Sequence, residues 1–267
     1  MSNTSVTVRK RLCLIDEYRG FVVLNMIAYH AIWDMVYMFG VNMPWYKSEI
    51  GHTWQQWICW SFILVSGFCW QMGKRPLKRG MLVYGAGALI SLVTVLVMPS
   101  AKVLFGVLTL LGSCMILMIP IHLIAQKINA YIGAVGSFVL FLFTYHVNRG
   151  YFGFGTVRII DLPEEWYANA FTTYLGFMEK GFYSTDYFSL IPWLFLFITG
   201  YFLYNIVIGK VDNDNQTDKN PRKVRTVLEK SICPALGWIG KHALILYMLH
   251  QPVIYAVLYV WNIMFEI

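Results

Sequence analysis

Two histidines and a carboxylate lie deep in apolar sequence, and they are the residues of this chain best suited to chemistry. His30 and Asp34 sit near the middle of the run from Arg11 to Phe39. A charge is costly in hydrocarbon, so an ionisable pair at that depth marks a functional site by default. An imidazole with a carboxylate one turn away has the parts of a general base and its orienter. The carboxylate can fix the tautomer and stabilise the imidazolium once a proton is taken. If the run is helical, Arg19 and His30 return to within about 20° of the same face. Asp16 precedes Arg19 by one turn and Asp34 follows His30 by one turn. A polar stripe Asp16–Arg19–His30–Asp34 then runs from the aqueous edge towards mid-membrane. His250, in the stretch HALILYMLHQPVIY, is the second candidate. Pro252 frees a carbonyl near position 248, which His250 or Gln251 could satisfy. Equally, His250 could bring another polar group to the membrane centre, facing His30.

The elements that would position these residues follow from composition. Of 267 residues, 58% are hydrophobic and 13% charged. A soluble fold could not cover that much apolar surface. The sequence predicts an all-α, polytopic integral membrane protein of one domain over 1–267. About seven transmembrane helices are expected, near 20–41, 53–72, 80–98, 103–125, 131–148, 187–209 and 238–263. Basic residues cluster before the first (Arg9, Lys10, Arg11), between the second and third (Lys74, Arg75, Lys78, Arg79), and before the last (Lys210, Lys219, Arg222, Lys223, Arg225, Lys230). All three clusters share one side if there are seven spans, which puts the N-terminus in the cytosol. The net charge of +7 thus reports topology, and no nucleic-acid partner is expected. The stretch 149–186 reads as an outer cover, with a short interfacial helix around 164–180. The stretch 211–223 reads as a flexible polar linker on the cytosolic side. No internal repeat is evident.

Other residues carry weaker signals. The five cysteines lack paired ligand spacing, so neither a disulfide framework nor a metal site is expected. Arg75, Lys78 and Arg79 read as a positive-inside anchor or as a phosphate clamp for an anionic cofactor. His122, His146 and His242 sit near span ends and read as interfacial anchors. His52 does too, although it could also reach an outer site. Gly67, Gly73, Gly85 and Gly87 suit close helix packing.

Several motifs resemble a known group. The I-D-x-x-R-G of Ile15 to Gly20, with ten residues between its Arg19 and His30, is similar to the start of membrane acyltransferases of the acyltransferase-3 superfamily. FILVSGF (Phe62 to Phe68) and LILYMLHQPV (Leu244 to Val253) resemble that group's second-helix and last-helix motifs. VLFGVLTLLG (Val103 to Gly112) and DYFSLIPWLFLFITG (Asp186 to Gly200) resemble the bacterial branch related to the heparan-α-glucosaminide N-acetyltransferase catalytic domain. The resemblance implies transfer of an acetyl group from cytosolic acetyl-CoA to a sugar, amine or hydroxyl acceptor across the bilayer. It implies His30 as base or acyl carrier and Arg19 at the CoA end. On the residue reading above, Asp34 and His250 join His30 as catalytic candidates, and Arg75, Lys78 and Arg79 join Arg19 as cofactor-binding candidates. His52 and Asp186 become candidates for acceptor contact. A bacterial inner membrane is the expected location, and self-association is left open.

Two other classes use the same residues. A transporter or flippase for a small polar or anionic solute would need the intramembrane charges without chemistry, although many transporters are built from repeats. A haem-binding electron carrier would use His30, His146 or His250 as axial ligands, but lacks histidine pairs on facing helices.

Overall fold

The computed structural model describes residues 11–209 and 219–265. The chain is mostly helical. In order come α1 (Cys13–Tyr37), α2 (Glu49–Phe68), α3 (Pro76–Val97), α4 (Val107–Ala125) and α5 (Ala130–Thr144). A hairpin of β1 (Tyr151–Phe154) and β2 (Val157–Asp161) precedes α6 (Ala170–Leu175) and α7 (Leu190–Ile208). The last helices are α8 (Lys219–Leu228), α9 (Pro234–Lys241) and α10 (Ala243–Phe265). Among the described residues, five helices are long and apolar enough to cross a membrane: Pro76–Val97, Val107–Ala125, Ala130–Arg149, Leu190–Ile208 and Ala243–Met264. At 25 and 20 residues, α1 and α2 have the length. Their polar and aromatic residues keep them out of that set.

The described residues fall into two units, one within Met1–Ile58 and Val207–Ile267, the other Cys59–Ile206. The first holds α1, the opening turns of α2, α8, α9 and α10. Its central feature is the crossing of α1 with α9. A Cβ on Gly20 would stand 2.0 Å from the Leu236 carbonyl oxygen, and one on Gly240 would stand 1.8 Å from that of Asp16. Only glycine allows this approach, which brings backbone to backbone without side-chain spacers. Around α1, Trp54 donates its indole N–H to Asn25 Oδ1 at 3.1 Å, and the Tyr46 hydroxyl donates to the Tyr29 carbonyl at 3.2 Å.

The second unit repeats the device. Hypothetical Cβ atoms on Gly67 and Gly200 would meet the carbonyls of Phe197 and Leu64 at 2.0 and 2.2 Å, so α2 and α7 touch through glycine. Gly87 and Gly112 do the same between α3 and α4, against Thr109 and Tyr84. Ser137 and Thr199 share a hydrogen bond of 2.9 Å between α5 and α7.

Three expectations change. The seventh span does not begin at 238: Pro234–Lys241 is a separate short helix, and the long helix starts at Ala243 after His242 leaves helical geometry (φ −102°, ψ 15°). The diglycine contact with α1 explains the break, because α9 must lie across α1 where α10 runs on. The outer stretch contains a hairpin that was not expected, while its short helix is found at Ala170–Leu175, capped by Asn169. The stretch 211–223 lies outside the described residues up to 218, and from Lys219 it is helical. The early basic residues Arg9, Lys10 and Lys210 lie outside the described residues as well.

Candidate active site

The first unit assembles the site from the base upwards. At the start of α1, Asp16 is buried and accepts from Arg11 Nε at 2.5 Å and Arg19 Nη1 at 3.4 Å. The same Arg19 nitrogen lies 3.5 Å from the Gly240 carbonyl, so this arginine seats α9 on α1. Glu17, only 5% exposed, was missed in the sequence. It accepts from the Ser231 hydroxyl and from the Ile232 N–H, the latter at 3.1 Å to each oxygen. No local pattern announces such a partner more than two hundred residues away.

These donors, the Ser231 hydroxyl foremost, hold the Glu17 carboxyl below the ordinary carboxylate range against the opposing effect of burial. A depressed pKa stabilises the fold above the unfolded value of about 4.3, and that contribution is lost as pH falls through the lower native value. Glu17→Gln is therefore expected to lower the melting temperature in detergent at neutral pH. The difference from wild type should stay constant down to about pH 5 and close below about pH 4. A difference that persists unchanged at acid pH would assign the loss to packing and not to charge.

About three turns beyond the glycine crossing at Gly20, α1 meets α10. The rings of His30 and His250 stand edge to face, with centroids 4.7 Å apart and planes at 63°. One turn further, Gln251 Nε2 donates to Asp34 Oδ1 at 2.6 Å. The two helices are thus joined by two polar rungs. Asp34 serves Gln251, and no hydrogen bond joins it to His30. His30 and Asp34 are neighbours on one face of α1, but each turns to α10, Asp34 Oδ1 to Gln251 and the His30 ring to that of His250. Pro252 lies inside α10, which runs as one helix from Ala243 to Phe265. His250 Nδ1, however, pairs with the carbonyl of Tyr247, and Gln251 turns to Asp34.

The protonation pattern follows from that pairing. A carbonyl oxygen only accepts, so in the neutral imidazole His250 Nδ1 carries the proton and Nε2 holds the lone pair. His250 is 9% exposed and Asp34 fully buried. His250 Nε2, Asp34 Oδ2 and Gln251 Oε1 are buried and have no hydrogen-bond partner among the described residues. All three are acceptors. An unpartnered buried acceptor is costly, and three in one cluster make a place for a group that brings N–H or O–H donors.

The remaining predicted residues lie elsewhere. His52 is exposed on the first turn of α2. Arg75, Lys78 and Arg79 belong to the second unit. They ring the start of α3, where Arg75 adopts φ +56° before Pro76 and the Arg79 guanidinium folds over Gly73. Asp186, also in that unit, accepts from the Val107 N–H at 3.2 Å and so caps α4. His122 is more than an interfacial anchor: its Nδ1 pairs with the Tyr201 hydroxyl at 2.7 Å, and its ring packs on Trp70. Among the described residues, no group of His, Cys, Asp and Glu could hold a metal ion.

No curated protein and no solved structure matches the chain. The sequence model of one family, described as "Heparan-alpha-glucosaminide N-acetyltransferase, catalytic", matches residues 11–252. That range takes in both polar rungs short of the end of α10 and covers most of the protein. With two imidazoles and a carboxylate on apolar helices and this match along the chain, the protein belongs to the heparan-alpha-glucosaminide N-acetyltransferase catalytic family of transmembrane acetyltransferases.

Proposed function

We propose that this protein moves an acetyl group from acetyl-CoA to an amine or hydroxyl acceptor, such as an amino sugar, on the opposite side of the membrane. In this reading α1 and α2 join the five apolar helices to give seven spans, and the basic clusters place the N-terminus in the cytosol. The observation that carries the reading is the unpartnered Nε2 of His250 beside the ring of His30. A neutral imidazole with its lone pair held ready is a general base.

The base takes a proton from the acceptor's N–H or O–H as that nucleophile adds to the thioester carbonyl. Collapse of the adduct breaks the C–S bond, and the departing CoA sulfur receives the proton. Acceptor and acetyl-CoA become acetylated acceptor and CoA, with nothing left over. Asp34 Oδ2 and Gln251 Oε1 can take the acceptor's other hydrogens, which orients it. The cations Arg75, Lys78 and Arg79 of the second unit carry the charge that a phosphate clamp needs. Arg19, engaged with Asp16 and the Gly240 carbonyl, adds charge at the base of α1.

Purified protein in liposomes, given labelled acetyl-CoA and then glucosamine or a panel of other amine and sugar acceptors, tests the reading. Label should appear on an acceptor with wild type and be lost with His250→Ala, which removes the base, and with His30→Ala, which removes the ring beside it. A wild-type protein that neither binds nor turns over acetyl-CoA would overturn it.

A further inference from the structure

The hairpin after α5 is amphipathic in a way its register makes plain. Phe152 pairs with Ile160 and Phe154 with Val157, while Tyr151 pairs with Asp161 and Gly153 with Arg158; the register shifts between Phe152 and Gly153. Directly opposed residues share a face, and successive residues alternate. One face is therefore Phe152, Phe154, Val157 and Ile160, and the other Tyr151, Gly153, Arg158 and Asp161. On the polar face the Arg158 guanidinium lies 4.8 Å over the Tyr151 ring.

The apolar face is only partly covered by protein. Phe152 and Phe154 pack on Phe143 of α5, with ring centroids 5.5 and 5.6 Å apart. Yet Phe154, Val157 and Ile160 remain 43%, 62% and 49% exposed. Two strands alone are marginal in water, and an open apolar edge invites association. This face does not end at the hairpin. It continues along α5 through Val139 to Val135, both exposed, on a helix long and apolar enough to cross a membrane. Whatever covers that stripe of α5 extends without a break onto the hairpin, and for the side of a membrane helix that cover is lipid.

We propose that the hairpin is a membrane-interface anchor, laying Phe154, Val157 and Ile160 into the headgroup–acyl boundary at the C-terminal end of α5 and keeping Arg158 and Asp161 in water. Aromatic and β-branched residues on one face and charge on the other suit that boundary. The anchor fixes the segment that leads from α5 to α6. It does not depend on the acetyl-transfer reading.

Quenching in lipid vesicles tests this with the full chain. Val157→Cys, Ile160→Cys and Arg158→Cys proteins would each carry an environment-sensitive fluorophore, with labelled wild type as the blank for the native cysteines. A nitroxide near the top of the acyl chain is expected to quench the labels at 157 and 160 about threefold more than aqueous iodide does, with the order reversed at 158. Iodide quenching equal at all three positions would overturn the proposal. So would labels at 157 and 160 shielded from both quenchers, which would mean that protein, such as a second copy of the chain, covers the face.

Discussion

His250→Ala is expected to lower acetyl transfer by about 100- to 10 000-fold, the range over which a positioned general base contributes. The protein should remain folded, since the imidazole's contacts are one carbonyl of its own helix and the rings of His30 and Tyr247. The sharper outcome concerns the pair. Were His30 and His250 to act as one unit, the double His30→Ala/His250→Ala protein would lose little more than the worse single variant, because groups that act together are not additive. Losses that multiply would mean two independent roles. Full activity in His250→Ala would remove it from the chemistry and leave His30 alone. Rates would be read with labelled acetyl-CoA at fixed acceptor, alongside a melting curve for each variant.

The second large effect is structural. Gly20→Val is expected to destabilise the protein by about 1–3 kcal/mol or more, since overpacking a tight contact forces the backbone to move. The obstacle is the Leu236 carbonyl, 2.0 Å from where the Cβ must go, and a carbonyl in a helix cannot rotate away. α9 would have to lift from α1, taking with it the Arg19 contact to Gly240. Gly237→Ala provides the comparison. It lies on the same short helix, but its Cβ would meet only Glu17 Cγ, at 3.5 Å, an ordinary contact. The melting temperature in detergent should fall for Gly20→Val and hold for Gly237→Ala. Because α10 follows α9 directly across His242, the first variant should also lose transfer activity by misaligning His250 with His30. Equal behaviour of the two variants would mean that the crossing is loosely packed.

How far the sequence reaches can be judged residue by residue. Apolar length and scarce charge determined a helical membrane protein, because those quantities depend on composition and a 3.6-residue period alone. The depth of His30, Asp34 and His250 in apolar runs marked all three, since an ionisable group in hydrocarbon is conspicuous wherever its partner lies. The hairpin was also legible in part: aromatic and β-branched residues flank Gly155 and Thr156, a two-residue turn that the surrounding helices overshadowed. The pairings were not legible. One helix shows only that His30 and Asp34 share a face. Which side chain each one meets depends on the rotation and height of α10 beside α1, and those are set by the glycine contacts between α1 and α9. The two polar rungs, and the Glu17 tie to Ser231, join residues more than two hundred positions apart, so they were decided by the tertiary structure alone.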